Sequence, residues 1–167
     1  TKLNAKNIPF ENYEHGKSYL VTDEDVTTRS FLGEFEYDFT NKIAAGGSIQ
    51  YDDYEVKNLA EAWNLPALQF VVFSKYKSEK WYATTNIFYV DERKIAVYNG
   101  PFPSNEVSTG RLDSFVDLNL NGGYHIHDTL SVFLKLNNVL NTKYQRFSNF
   151  NVQGFQVLGG VTYKFDF

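Results

Sequence analysis

The sequence predicts an all-β fold made of antiparallel transmembrane β-barrel strands, and three patterns support this prediction. Apolar and polar residues alternate in segments of about ten residues, the length that a tilted strand needs to cross a bilayer. Short and long connections follow one another along the chain, as they do in barrels with tight turns on one side and extended loops on the other. One face of the last segment, 154–167, is almost entirely apolar and ends on an aromatic residue.

The first two predicted strands cover 31–40 and 43–52 and are joined by a short turn. Four aromatic side chains share one face of the first strand, whereas Glu34, Glu36 and Asp38 lie on the other. Burying three carboxylates in a dry core is very costly, so the acidic face must contact water, as the lumen wall of a membrane barrel does. The second strand repeats the alternation.

The next two predicted strands, 67–77 and 81–91, follow a long connection and are joined by a turn at Ser78 and Glu79. Both alternate again, which gives each of them one face for lipid and one for water. The side chains that we expect to contact lipid are Leu68, Phe70, Val72 and Tyr76 in one strand and Trp81, Ala83, Thr85, Ile87 and Tyr89 in the other.

Three further strands bring the predicted total to about seven. The connection 92–112 is long and contains two Gly and two Pro residues, which are loop formers. It leads to a strand over 113–124 and, after a short turn, to a strand that begins at Leu130. A last long connection, 141–153, precedes the closing strand over 154–167.

The connection lengths also predict sidedness. With the short turns in the periplasm, residues 1–30 form an extracellular loop region with a fragment of strand at 19–22, and residues 31–167 form the barrel strands. An odd number of strands does not close the usual single-chain bacterial barrel. Because the sequence also starts at Thr1 and contains no Met, we expect it to be the C-terminal piece of a longer chain.

The closing strand resembles the C-terminal strand of Gram-negative outer-membrane barrels. It ends on Phe167, and Phe165 and Tyr163 precede it at every second position. In those barrels, such a pattern is the signal that the barrel-assembly machinery reads. The resemblance therefore implies that these three residues form a barrel-assembly signal.

The strand before it resembles a more specific family. Residues 130–144 include Asn138-Val139-Leu140-Asn141 and end at Tyr144, which is similar to the penultimate strand of TonB-dependent receptors, where the segment reads N-L/V-L/F-N/D-x-x-Y. The resemblance is strongest from residue 113 onwards.

This resemblance implies the C-terminal part of a larger barrel of about 22 strands. It also implies active uptake of a scarce ligand, such as a siderophore, a metal chelate or a vitamin, across the outer membrane. The implied partners are outer-membrane lipid, the barrel-assembly machinery, the TonB complex and a small-molecule or metal-chelate ligand. The plug domain and its TonB box, through which the TonB complex would act, are absent from this sequence.

The composition restricts the chemistry of the chain. With no Cys, it has no disulfide framework, no thiolate metal site and no cysteine nucleophile. The net charge of -4 and the scattered Lys and Arg residues argue against nucleic acid as a partner. The sequence contains no catalytic motif, and we expect neither enzymatic activity nor a cofactor.

Two other features invite a chemical interpretation. His125 and His127 are close in sequence and could contribute to a metal site, but a predicted periplasmic turn makes a solvated pair the preferred interpretation. The Gly-Gly pairs that begin at Gly46, Gly122 and Gly159 precede no helix, so they indicate bends, bulges or close backbone approach rather than phosphate loops.

Aromatic residues in the predicted outer loops are the best candidates for ligand contacts, because rigid rings give much contact area at little entropic cost. They are Trp63, Tyr98 and Phe102. The competing interpretation is that they pack the loops together or belong to an aromatic girdle.

Two further classes of protein fit the pattern. The chain could be a small stand-alone eight-stranded outer-membrane barrel with a structural or adhesive role, if the segment near Tyr19 supplies an eighth strand. It could also be a soluble β-barrel or sandwich that binds an apolar ligand. The closing strand and the alternation of connection lengths favour the membrane interpretation.

Overall fold

The computed structural model describes residues 2–3, 6–12, 18–23, 25–98 and 107–165, and in these ranges the secondary structure is β. None of the described segments forms a helix long and apolar enough to cross a membrane. The strands are β1 Lys2–Leu3, β2 Lys6–Asn12, β3 Ser18–Asp23, β4 Val26–Thr40, β5 Ile43–Val56, β6 Leu68–Lys77, β7 Trp81–Val90, β8 Arg93–Tyr98, β9 Val107–Leu112, β10 Phe115–His127, β11 Leu130–Asn137, β12 Gln145–Phe147, β13 Phe150–Asn151 and β14 Gln156–Tyr163.

One antiparallel sheet forms the body of the described chain. Its strand order is β1-β4-β5-β6-β7-β10-β11-β14, and β2–β3, β8–β9 and β12–β13 are separate hairpins. β1 contributes only two residues, which pair with Thr27 and Val26. The other seven strands of this sheet are the seven that the alternation predicts, so the predicted fold class is confirmed.

The strand register gives the sheet one apolar face. Directly paired residues point to the same side of a sheet, and Phe35, Gly47, Val72, Ile87 and Leu118 are successive partners across five strands. Many side chains of this face are exposed, including Phe35 at 66% and Val72 at 42%. No described element covers them, so this face is not part of a protein core.

The opposite, polar face carries the charged and amide side chains. Glu36, Gly46, Phe73, Asn86 and Asn119 are successive partners on it. The Lys75 ammonium lies 2.8 Å from a Glu36 carboxylate oxygen, and both side chains are half exposed. An ion pair in such a position contributes at most about 1 kcal/mol.

The glycine pairs mark close approach of aromatic rings on the polar face. Gly46 lies opposite Phe73 and Gly160 opposite Phe133. A Cβ atom would lie 2.7 Å from Phe73 Cζ at the first position and 2.5 Å from Phe133 Cζ at the second. Gly123 is covered in the same way by the ring of Tyr82. Each ring therefore occupies the space that a side chain would need.

The connections alternate in length as predicted, with two differences in the elements around them. β4 and β5 extend beyond the predicted segments, because 26–30 pairs with 52–56. The connection 92–112 contains the hairpin β8–β9, in which the apolar residues 95–97, two of them β-branched, favour a strand despite the Gly and Pro residues further along. The predicted fragment at 19–22 lies within β3.

Candidate ligand site beside the long connections

A cavity of about 570 Å³ lies where the polar face meets the long connections. The sheet contributes Gln69 from β6, Phe88 and Val90 from β7, and Phe115, Asp117 and Asn119 from β10. The connections contribute Asn64, Pro66, Arg93, Tyr144, Arg146 and Phe147. Its wall thus combines aromatic rings with two guanidinium groups, one carboxylate and several amides.

Arg93 is the most buried charged group of this cavity, with 6% exposure. Its Nη1 donates to the Arg146 carbonyl at 2.8 Å and its Nη2 to the Gln145 carbonyl at 2.6 Å. The guanidinium also lies 5.6 Å from the centre of the Phe115 ring. Burial lowers the pKa of Arg93. The arrangement ties β8 to β12 without giving the cation a carboxylate partner among the described residues.

Tyr144 joins the last long connection to β10. Its ring stacks on Phe115 with centroids 3.7 Å apart and an angle of 5° between the planes. Its hydroxyl donates to Asp117 Oδ2 at 2.9 Å, while Asp117 Oδ1 is buried without a hydrogen-bond partner. Burial, followed by the hydrogen bond to Asp117, raises the pKa of Tyr144 to about 12. The phenol therefore remains a proton donor at neutral pH.

Asn138 positions the segment that carries Tyr144. It is 4% exposed and has a φ angle of 47°, a left-handed conformation that Asn adopts more readily than most residues. Its Oδ1 accepts from Thr142 N, and its Nδ2 donates to the carbonyls of Thr142 and Gln153. Its backbone N–H donates to Asn119 Oδ1. These four bonds fix both ends of the connection against the sheet.

Asn141 provides a second anchor with the same backbone conformation, at a φ angle of 51°. Its Oδ1 accepts from Phe155 N at 3.1 Å, next to the start of β14. The segment 138–144, which carries the resemblance to the family, therefore has a structural role. Its two left-handed Asn residues and Tyr144 lie three positions apart, and each attaches the connection to a different part of the structure.

Trp63 lies within the packing of the outer segments. It is 3% exposed and forms a small core with Val26 and Ala96. Nearby, Asn64 N donates to the Lys94 carbonyl at 2.7 Å, and Lys94 Nζ lies 2.8 Å from Glu61. These contacts join the connection between β5 and β6 to the β8–β9 hairpin.

The other predicted site residues are placed as follows. Tyr98 ends β8, where its backbone pairs with Val107, and Phe102 lies outside the described residues. Their contact with a ligand stays a prediction. Tyr163 and Phe165 are 55% and 71% exposed and their rings are 4.8 Å apart, whereas Phe167 lies outside the described residues.

The two neighbouring histidines do not share a face. Ile126 is an extra residue in β10, so His125 pairs with Ser131 and His127 with Leu130. Since Ser131 and Leu130 are consecutive in a strand, they point to opposite sides. His125 Nδ1 lies 2.7 Å from Ser131 Oγ. Within the described ranges, no group of three or more His, Cys, Asp or Glu could hold a metal ion.

Sequence reasoning did not select Arg93, Phe115 or Asp117 as site residues. The only signal in the sequence for this site was the segment 138–144, which ends at Tyr144. The residues that follow Arg93 indicate a strand, but they do not show which groups the Arg93 side chain contacts.

Comparison with known proteins establishes the fold. Neither a protein-family model nor a curated protein matches the sequence. Among solved structures, the ferripyoverdine receptor of the outer membrane of Pseudomonas aeruginosa, bound to ferripyoverdine, is 15% identical with a TM-score of 0.70 over 95% of this chain and 23% of that one. The copper transporter OprC is 14% identical with a TM-score of 0.67 over 96% of this chain and 27% of that one. The siderophore receptor PiuA from Acinetobacter baumannii is 14% identical with a TM-score of 0.66 over 98% of this chain and 25% of that one.

The chain therefore spans about a quarter of the length of the solved structures that it matches. These neighbours are TonB-dependent outer-membrane receptors, and they are transport proteins rather than enzymes. At these identities the comparison shows the fold, and the resemblance predicted from the sequence is confirmed at that level.

Proposed function

We propose that this chain is the C-terminal barrel segment of a TonB-dependent active transporter of the outer membrane, which takes up a scarce small-molecule or metal-chelate ligand. The observation that carries the proposal is a single sheet with one exposed apolar face and one charged face. Such a sheet suits a barrel wall between lipid and a water-filled lumen.

The apolar face supports the outer membrane as the location. Exposed large apolar residues of this face lie on β4, β5, β6, β7, β11 and β14, which is a larger apolar surface than a soluble monomer usually presents. Outer-membrane lipid would cover this surface. Tyr163, Phe165 and Phe167 would serve as the signal for the barrel-assembly machinery.

The connections support the proposed sidedness. The turns at 41–42, 78–80 and 128–129 are short, whereas 57–67, 91–114 and 138–155 are long and carry the cavity. With the short turns in the periplasm, the cavity opens on the extracellular side. Residues 1–30 would then belong to the extracellular loop region and 31–167 to the barrel strands.

The solved neighbours suggest the class of ligand. Their descriptions name ferripyoverdine, copper transport, a siderophore and a complex with pyocin S2. A metal chelate bound between the long connections and the polar face is consistent with the aromatic and charged wall of the cavity. The TonB complex would act through a plug domain that this sequence does not contain.

The small stand-alone barrel is less well supported by the strand pairing. In the described residues, β14 pairs only with β11 and β1 only with β4, so the sheet does not close on itself. The mass of the native polypeptide separates the alternatives. A band several times heavier than 19.3 kDa, detected with an antibody against the last strand, is expected for the transporter, whereas a band near that mass would favour the small barrel.

Whole-cell uptake tests the transport function. Cells with the native receptor should accumulate radioactive iron or copper from at least one of three chelates, made with citrate, a hydroxamate or a catecholate, and cells without the receptor should not. Depletion of TonB should abolish the difference. Uptake that persists without TonB, or a receptor that fractionates outside the outer membrane, would contradict the proposal.

A further inference from the structure

The cavity beside the long connections has an excess of positive charge. Among its lining side chains, Arg93 and Arg146 are cationic, and Asp117 is the one carboxylate. Burial and the hydrogen bond to Asp117 raise the pKa of Tyr144, and both guanidinium groups oppose this rise. The two cations therefore act on the same small region around the Tyr144 hydroxyl.

Arg93 is buried without an anionic partner among the described residues. Its Nη atoms donate to two neutral backbone carbonyls, which orient the guanidinium but do not neutralise it. Removing a charge from water costs several kcal/mol unless an opposite charge compensates it. A fixed cation of this kind favours any anion that enters the adjoining cavity.

Asp117 does not supply the missing negative charge to Arg93. Its Oδ2 accepts from the Tyr144 hydroxyl at 2.9 Å, and its Oδ1 has no hydrogen-bond partner among the described residues, so neither oxygen is bonded to Arg93. The stacked rings of Phe115 and Tyr144 occupy the neighbouring space. The carboxylate thus reduces the positive potential of the cavity without pairing with the buried cation.

Arg146 differs from Arg93 because its side chain is exposed. It lines the cavity, and no ion pair with it occurs in the described part of the chain. A guanidinium binds a carboxylate through two parallel hydrogen bonds, so Arg146 is suited to contact an incoming anion directly. Arg93 then serves as a positioning residue that holds a positive charge behind it.

We infer that this cavity binds a small carboxylate ligand, with Arg146 as the contacting group and Arg93 as the source of a fixed positive field. The volume of about 570 Å³ accommodates a tricarboxylate or a carboxylate arm of a larger chelate. The inference rests on the proposed function, because it takes the cavity to lie on the path of the ligand.

Calorimetry on the whole receptor, purified in detergent, tests this inference with citrate as the probe. Arg146→Gln should weaken citrate binding about tenfold. Asp117→Asn should tighten citrate binding several-fold, because the Asn amide oxygen still accepts a hydrogen bond from the Tyr144 hydroxyl while the repelling charge is removed. Lys135→Gln is the matched control: it removes a cation from the polar face outside the cavity and should leave the affinity unchanged. High salt should weaken binding to the native receptor.

Absence of citrate binding, or the same affinity in the native protein, Arg146→Gln and Asp117→Asn, would overturn the inference. The inference would also be wrong if Arg146→Gln and Asp117→Asn changed the melting temperature of the receptor while added citrate did not change it. A carboxylate of the receptor itself would then neutralise the site. The outcome is separable from transport. Citrate binding without uptake contradicts only the transport function, whereas uptake of uncharged chelates without citrate binding contradicts only this inference.

Discussion

An Arg at Leu134 tests whether the apolar face contacts lipid. Leu134 lies on that face between Gly122 and Gly159 and is 48% exposed. It follows Leu130, the first residue of β11, by four positions. At about 3.4 Å per residue and a tilt of about 40°, four residues rise about 10 Å along the membrane normal. In an apolar band about 25 Å tall whose edge is at Leu130, Leu134 would therefore lie near the midplane.

Leu134→Arg should therefore lower the free energy of unfolding by about 2–4 kcal/mol, the cost of a cation at the bilayer midplane. Val132→Arg, half as far from Leu130, should cost less. Thr162→Arg is the control, because Thr162 pairs with Ser131 on the polar face and an exposed substitution there should change stability by less than about 0.5 kcal/mol.

Urea unfolding of the whole receptor in lipid vesicles measures these differences. The expected order of destabilisation is Leu134 above Val132 above Thr162. Equal losses at Leu134 and Thr162 would refute the assignment of the two faces. A larger loss at Thr162 would mean that the register is displaced by one residue, since such a shift exchanges the faces of a strand.

Four further predictions concern the site and the closing strand. Asn138→Ala removes three side-chain hydrogen bonds and places Ala in a left-handed conformation, so limited proteolysis should cleave residues 138–155 at least tenfold faster, and unchanged cleavage would contradict the anchoring role. Gly160→Ala should cost about 1–3 kcal/mol through overlap with Phe133, and Phe133→Leu should recover part of this loss in a double-mutant cycle of urea unfolding. The pKa of Tyr144 is raised from 10.0 to about 12 on folding, so the stabilisation by the Tyr144 phenol is complete below about pH 10 and is lost as the pH rises towards 12. In an ultraviolet titration, the Tyr144→Phe variant should lack one phenolate that forms near pH 12 in the native protein. Deletion of Phe167 should reduce the amount of receptor in the outer membrane, as measured by immunoblot, and a normal amount would argue against the assembly signal.

The seven long strands could be predicted because a sheet with one apolar and one polar face imposes a period of two on the sequence. Glu34, Glu36 and Asp38 alternate with aromatic residues, and only one assignment of faces avoids buried carboxylates. Outside the part of the sheet with one apolar and one polar face, this constraint ends. The extension of β4 contains Thr28, which is buried, and Arg29, which forms ion pairs with Asp53 and Glu55 of β5. Its pairing could not be predicted from the alternation.

The cavity was not predictable because its parts are distant in sequence. Arg93 reaches the carbonyls of Gln145 and Arg146, 52 and 53 residues away, and no local pattern specifies such a contact. Trp63, one of the three aromatic residues that the sequence favoured as ligand contacts, is buried against Val26 of β4 and Ala96 of β8. A loop aromatic residue can either bind a ligand or pack its own loop, and only the fold shows which neighbours it has.

The spacing of Asn138, Asn141 and Tyr144 explains how a long connection can carry a defined site. Asn138 attaches the chain to β10 through Asn119, Asn141 attaches it to Phe155 before β14, and Tyr144 attaches it to Asp117. The three anchors lie in the part of the connection that directly follows β11, whereas Arg146 lies further along the chain, in β12. The anchors set where β12 lies relative to the sheet, and Arg146 adds its charge to those of Arg93 and Asp117 in the cavity. A change at Arg146 should therefore alter ligand preference without loosening the connection, whereas a change at Asn138 should do the reverse.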